Sequence, residues 1–497
     1  MPTILSPDSF FFPALSIPTQ TFFRAGYGIF LLGTLLSVLP HARRYFLGER
    51  WGGYAYSDWT VNLLHHPKRM PWILGGWLIC AVLLIIGRWI LLAALLNFAL
   101  CRYYFIHMRW KSLLRGMGAP GFMTYWLAAA VLLLECTLQL APSVRPLALL
   151  VVQTDFALIM LSAGIYKLTS GYAKNDGMEL GLANPMWGYW WKAYLKMPVN
   201  HWMIRTLNHM AWSTEVAAGI MMLIPSMRFI GAMLILLSFL FVATQIRLCL
   251  LPEMVVTGCV LFFHPGSAGD TFVSGFIGEA APAVIQAPAI TPWVAALLEP
   301  ALWMYLILLP FAHAGLYYNL YLRRKLPWLW LQSALEAYTN LFGILIWRVF
   351  SIDIVNFFVR IYQRERGQPE AAEKEVTRFG WRAGGLRFSH VAESIALASL
   401  FTTLKYYPSR PHLFAERLMR FAWTLGCPGN SVLSFEYIVL LKEKGRFVHR
   451  PLAQFTVDPA SGTIVREILD ETLFSREIQP RWPVTESSRP GSYAPAK

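Results

Sequence analysis

The sequence predicts an all-α polytopic membrane bundle of about eight to ten transmembrane helices, followed by a small soluble α+β C-terminal domain. Three observations carry this expectation. The 497 residues are 56% hydrophobic and only 14% charged, with a mean hydropathy of +0.45, which is the balance of a polytopic chain with a soluble appendage. Apolar runs long enough to cross a hydrocarbon core of about 30 Å recur through the first two thirds of the chain. Past residue 363 those runs stop and the composition turns to that of a small water-soluble domain.

Residues 1–20 carry no basic residue and no clean cleavage site, so the first span is expected to act as its own insertion signal. Spans are expected at 21–39, 71–87, 89–106, 121–140, 147–168, 209–225, 228–248, 251–264 and 294–320, which makes 21–326 a multi-span domain. The second and third are split only by Gly87-Arg88 and the eighth is short, hence a range for the count. Residues 327–362 are apolar but contain Glu336, Arg348, Asp353 and Arg360, the pattern of interfacial helices or of a tenth span. Residues 363–385 read as a charged linker and 386–480 as the small α+β domain. The latter should hold helices at about 389–407 and 411–425, two strands around Lys442-Glu443-Lys444-Gly445, and a further strand after "DPASG". Residues 481–497 read as a disordered tail.

Lys and Arg outnumber Asp and Glu by 43 to 28, but the excess lies in short loops between apolar runs. Arg43, Arg44, Arg50, Lys68 and Arg69 fall in one loop, Arg109, Lys111 and Arg115 in a second, and Arg323, Arg324 and Lys325 in a third. This points to topology signals and lipid headgroups as partners and away from nucleic acid. With nine spans, the basic loops face the cytoplasm, whereas the N-terminus and the 265–293 loop, which holds only Asp270 and Glu279, lie outside. Cys80, Cys101, Cys136, Cys249, Cys259 and Cys427 form no CxxC and no zinc spacing, so they read as buried small hydrophobes. No phosphate-binding loop or nucleophile elbow is present in the sequence.

An ionisable side chain at membrane depth costs at least about 2.5–3.5 kcal/mol, so each needs a partner or a role. Arg24, Glu135, Asp155, Glu215, Arg247, Glu253, Glu299 and His313 fall at such positions, with Lys167 at a span end. Arg24 is expected to pair with Asp155 or Glu135, and Arg247 with Glu215. Asp155 and Lys167 cannot pair, because twelve residues along one helix separate them by about 18 Å. Lys167 has two readings: it snorkels to the headgroups, or it is held as a base in a dry pocket. The aromatic connection that follows, with Trp187, Tyr189, Trp190, Trp191 and Tyr194, suits an interfacial belt or the roof of a site for a flat ligand such as a quinone.

"AGIYKL" at 163–168 resembles the Ala-Gly-x-x-Lys-Leu element of the vitamin K-dependent gamma-carboxylase and its bacterial relatives, the horizontally transferred transmembrane domain family. Arg24 in "FFRAGYGIFLLG", Glu215 in "STEVAAGIMMLIP", Arg228, and "ATQIRLCLLPEMVVTGCVLFF" at 243–263 follow that family's order. The resemblance covers roughly residues 20–265, and weakly 342–353. It implies that Lys167 is the base that starts oxygenation of a reduced quinone, vitamin K hydroquinone in the carboxylase. The candidate site is then Lys167 with Arg24, Asp155, Tyr166, Glu215 and Gln245 as binding residues. The sequence departs from the family at several points. Tyr166 stands in place of a second lysine, Gln245 in place of a histidine, Tyr172 is the nearest aromatic where a Trp follows, and "GFMTYWL" replaces an Asn-His-x-Tyr-Leu element.

"LANPMWGYWWKAYLKMP" with Glu215 is also similar to the lipase maturation factors, which are multi-span proteins that assist the folding of secreted enzymes. That resemblance implies a non-catalytic role with a secreted or membrane protein client. A structural subunit of a membrane complex is the third expectation. All three place the chain as a multi-pass protein, in the cytoplasmic membrane if bacterial or the endoplasmic reticulum if eukaryotic.

Overall fold

The computed structural model describes residues 11–39, 64, 66, 68–110, 118–277, 291–321, 324–348, 352–369, 372–377, 387–425 and 429–478. Arg43, Arg44, Arg50, Lys111, Arg115, Glu279, Arg323, Cys427, much of the expected linker and the expected disordered tail lie outside these residues.

Each expected span falls on a helix. In chain order these are α1 (Ile17–Val38), α2 (Met70–Ile86), α3 (Ile90–Cys101), α4 (Gly118–Leu140), α5 (Arg145–Thr169), α6 (Trp202–Leu223), α7 (Arg228–Gln245), α8 (Leu251–Cys259) and α9 (Thr291–Tyr321). Local chemistry sets their ends. The Ser16 hydroxyl accepts from Thr19 N at 3.2 Å to cap α1, and α2 stops at Gly87, whose φ of 73° suits a left-handed cap.

The nine helices run between two ends. At one end the 11–16 segment meets the starts of α5 and α7: Arg145 donates to Leu15 O at 2.9 Å and Arg228 to Phe11 O at 3.2 Å. Thr19, at the start of α1, donates to Asp270 at 2.6 Å. At the other end lie the start of α4, the ends of α5, α7 and α9, and the C-terminal domain. Among the described residues, four helices qualify by length and apolarity to cross a membrane: 118–140, 142–169, 225–245 and 292–321. This is fewer than the expected eight to ten. Three further apolar helices (Met70–Ile86, Ile90–Ile106, Leu251–Phe262) are shorter, while α1 and α6 have the length but carry Arg24 or Arg205, Asn208, His209 and Glu215.

The C-terminal domain is a five-stranded antiparallel sheet in the order β2-β1-β3-β4-β5, comprising β1 (Phe357–Glu365), β2 (Lys374–Glu375), β3 (Ser431–Glu443), β4 (Arg446–Asp458) and β5 (Thr463–Ile468). The β3–β4 hairpin turns at Lys444 and Gly445, both at positive φ (48° and 76°), as the strand twist requires of a two-residue turn. The expected helices and the three later strands are present.

The sheet corrects one expectation. Residues 327–362 are not membrane helices throughout: helix α10 (Leu329–Phe342) occupies the first part, and β1 starts at Phe357 and runs into the expected linker. In β1 the Phe357–Val359 stretch is wholly buried and pairs with the equally buried 437–439 of β3. A strand covered on both faces reads as one continuous apolar run, which periodicity alone does not separate from a helix.

Helices α11 (Arg387–Tyr406) and α12 (Pro411–Thr424) cover the sheet. Phe401 stacks on Tyr437 with ring centres 5.4 Å apart, and Phe414 packs edge-on against Phe455 at 5.0 Å. The domain is joined to the bundle by one continuous core. Asn184 donates to Val355 O and Phe357 O at 2.8 and 2.7 Å, and Val199 N donates to Gly445 O at 2.9 Å.

Candidate functional site

The closest helix crossing in the site is that of α5 and α6, and two glycines permit it. A Cβ on Gly164 would lie 2.7 Å from Val216 N, and one on Gly219 would lie 2.7 Å from Leu161 N. Small residues at such crossings let backbones approach where apolar surroundings give no hydrophobic drive. The approach brings Lys167 of α5 onto Glu215 of α6, where the ammonium donates to Oε1 in a buried ion pair with 9% and 5% side-chain exposure. Lys167 is buried and paired here, not extended outward. The geometry corrects the expected Arg247–Glu215 pair: Arg247 instead donates to Pro185 O at 2.7 Å and stacks on the Tyr189 face at 5.2 Å.

Several tyrosines lie at this end of α5 and α9. Tyr166 is buried, with the Arg348 guanidinium 6.0 Å from its ring centre. Tyr172 is fully buried, and both it and Tyr317 of α9 lie within electrostatic reach of Glu215. Tyr317 donates to Ser162 O and stacks on Tyr321 at 5.3 Å, while Tyr321 shares a hydrogen bond with Thr169. Glu215 Oε2 is a buried acceptor with no hydrogen-bond partner among the described residues.

The chain does not leave the bundle after α5. Gly171 (φ 119°) and Asn175 (φ 58°) turn it back as a roof. A Cβ on Gly177 would sit 2.3 Å from the Tyr172 ring, so only glycine lets that ring lie there. Buried Glu179 ties the roof down, accepting from Gly177 N at 3.1 Å, from Asn208 Nδ2 of α6 at 2.6 Å, and from Lys442 of β3. Lys442 also reaches Asp176 at 3.0 Å. Burial pushes the Lys442 ammonium down, but Glu179 and Asp176 together hold it above the ordinary lysine value. His449 of β4 lies between Trp191 (6.0 Å) and Phe358 (4.7 Å). Burial lowers its imidazolium to about 4, against a smaller opposing hydrogen bond to Ala183.

The other expected site residues are not gathered here. Arg24 pairs with Glu135 at 3.4 Å, as one of its two expected partners, and donates to Leu84 O at 3.1 Å. Gln20 links that pair to Arg145, donating to Glu135 at 3.2 Å and accepting from Arg145 at 2.8 Å. Asp155 accepts from Trp126 Nε1 at 2.9 Å and from the Tyr305 hydroxyl at 3.1 Å. Gln245 accepts from the Tyr194 hydroxyl at 2.9 Å. An apolar cleft of about 390 Å3, lined by Phe12, Val144, Leu147, Glu299 and Trp303, lies at the end of the bundle remote from the C-terminal domain.

Lys167 and Glu215 therefore meet in one site, with Tyr166 beside Lys167 in sequence and its ring under Arg348, and Arg24, Asp155 and Gln245 belong to three others. Glu179, Asn208 and Tyr317 were not legible in the sequence, while Tyr172 stood out only as the nearest aromatic after Lys167 and Lys442 only as part of a hairpin turn. Glu179 lies in the aromatic connection, which reads as an interfacial belt or a pocket roof through its Trp and Tyr residues, and Lys442 sits next to a hairpin turn. The usable signal was Asn-Asp-Gly at 175–177, a tight turn that begins eight residues after Lys167. No family model, curated protein or solved structure matches this chain.

Proposed function

We propose that this is a multi-pass membrane protein of the gamma-carboxylase-like kind, whose Lys167–Glu215 pair floors an intramembrane site for a flat, hydroxyl-bearing aromatic ligand such as a reduced quinone. The end-to-end alternation of nine helices supports nine crossings, beyond the four that composition alone supports. The basic residues Arg324 and Lys325 follow α9 at the end that carries the C-terminal domain, which supports a cytoplasmic placement of that domain.

The observation that carries the ligand reading is Glu215 Oε2. A buried acceptor left unfilled costs about 1–3 kcal/mol, and a ligand hydroxyl is a donor that fits it. A bound hydroquinone would supply an acidic hydroxyl and two electrons. Lys167 as an ammonium offers three donors and no acceptor, so its first task is to hold Glu215 and an approaching oxygen in place. It takes up a proton only after passing one to Glu215, so the two residues act as a unit with one proton between Nζ and the carboxylate. Tyr172 and the roof exclude water.

The test is titration of the protein in nanodiscs with vitamin K hydroquinone under anaerobic conditions, followed by quenching of aromatic fluorescence. Glu215→Gln and Lys167→Met should each weaken binding at least about tenfold, or 1.4 kcal/mol. Undiminished binding by both variants, or no binding by the unsubstituted protein, overturns the reading.

A further inference from the structure

Helix α10 turns an apolar stripe outward, flanked on one side by exposed Ser333, Glu336 and Asn340. Gln332, Leu335 and Thr339 face inward and are buried. Trp330, Ala334, Ala337 and Leu341, at i, i+4, i+7 and i+11, lie on an exposed stripe, with Trp330 70% and Leu341 56% exposed. Trp328 and Leu329 at its start are also exposed. Its inner face is fixed by polar contacts: Gln332 Oε1 accepts from Leu326 N at 3.1 Å, and the Tyr338 hydroxyl donates to Tyr305 O at 3.2 Å.

Those contacts also give its direction. Leu335 packs where a Cβ on Gly315 would stand, 2.7 Å from Leu335 Cδ2. Gly315 lies six residues, about 9 Å, before the end of α9, and Tyr305 lies sixteen residues, about 24 Å, before it. α10 therefore folds back along α9, away from the C-terminal domain. It stops at Gly343 (φ 70°), whose neighbour Phe342 accepts at its carbonyl from Tyr125 at 3.1 Å. Residues 344–348 then return with no regular structure. Trp347 stacks on Phe239 at 6.1 Å, and Arg348 lies over Tyr166 near the end of α5. Irregular backbone at membrane depth is tolerated only when protein covers it, and Ile344 and Trp347 are 9% and 2% exposed.

We propose that residues 326–348 form a re-entrant hairpin, entering the bilayer from the side that carries the C-terminal domain and turning back at Gly343. The stripe Trp330, Ala334, Ala337 and Leu341 lies against lipid acyl chains. Arg324 and Lys325, exposed just before it, meet the headgroup phosphates, and Trp328 marks the interface, where tryptophan concentrates. Charge complementarity selects a lipid leaflet as the occupant, and so does continuity with the exposed apolar face of α9 (Met304, Ile307, Phe311). Glu336, exposed on the flank beside Gln332 and off the stripe, accepts that amide at 2.7 Å. This inference rests on the membrane reading above.

The experiment places a nitroxide label at Trp330→Cys, Ala337→Cys and Leu341→Cys, with Phe311→Cys on α9 as reference, in liposomes of phosphatidylcholine and phosphatidylglycerol. Collisions with oxygen and with a water-soluble nickel chelate are compared against the unsubstituted protein treated with the same reagent. These positions are exposed, so the labels meet no packed neighbour. Oxygen should dominate at all three, with depth increasing from 330 to 337 to 341. Equal depth at the three overturns the hairpin in favour of a flat interfacial helix. Strong nickel contact means a water-facing stripe, and weak contact with both reagents means a stripe covered by a second copy or another protein; either overturns the proposal. Nickel contact at the Phe311 label overturns the membrane reading itself.

Discussion

The pair α4 and α5 and the pair α7 and α9 are alike in sequence and opposite in surroundings. All four are long and apolar enough to cross a membrane, yet the most apolar stretches of the first pair are 72% and 67% buried, against 22% and 11% for the second. The inner pair carries Glu135, Asp155 and Lys167, each with a partner on another helix. The outer pair shows Leu237, Leu240, Met304, Ile307 and Phe311 outward, with Glu299 exposed in the first third of α9 and His313 turned inward and buried. Ionisable groups are affordable where a neighbouring helix supplies the counter-charge or donor, and a helix that faces outward has no such neighbour on that side.

The largest expected effect breaks the inner pair at its charge. Glu215→Ala leaves Lys167 buried and unpaired and should destabilise the bundle by about 3–5 kcal/mol, read as a lowered midpoint in detergent-induced unfolding; a change under about 1 kcal/mol would remove the special status of the inner helices. Next comes Gly219→Val, which forces side-chain volume into backbone 2.7 Å away and should cost about 1–3 kcal/mol. Gly75→Ala on α2, which meets nothing within 4 Å, should cost almost nothing in the same assay.

A subtler effect concerns the C-terminal domain, whose docking onto the roof joins the inner pair to the sheet. His449 is held neutral, with its folded value lowered to about 4 against about 6.5 when unfolded. The unfolded state therefore binds the extra proton first, and the stabilisation present above about pH 6.5 is lost as pH falls towards 4. Proteolysis of the domain should accelerate over that window, and His449→Phe should flatten the profile. Lys442 has the opposite sign: its raised value contributes fully below about pH 10.4 and is lost only at more alkaline pH, so it adds nothing to the acid window. The smallest effect belongs to the outer pair. Leu237→Ala on α7 should stay within about 0.5 kcal/mol, and a larger loss would mean that this face is packed against something.

Legibility followed periodicity and failed where distance along the chain was large. Nine apolar runs and the β3–β4 hairpin were readable because each depends on residues a few positions apart. β1 was misread because its buried stretch has no alternation. For the site, Lys167 and Glu215 stood out by residue type, but nothing local indicated that they meet, since 48 positions separate them. Arg24 could equally have met Asp155 or Glu135. The choice went to Glu135, while Asp155 was taken by the Trp126 and Tyr305 donors.

Apolarity and turn chemistry, both properties of short stretches, let the sequence alone determine that helices precede a small α+β domain and that costly ionisable groups lie within them. Tertiary structure decided which charge neutralises which, which long helices face inward, and that Lys442 of β3 ties down the roof through Glu179. Those outcomes depend on how near helices come to each other, and at the α5–α6 crossing that distance is set by Gly164 and Gly219, whose missing side chains acquire meaning only once the two helices are packed.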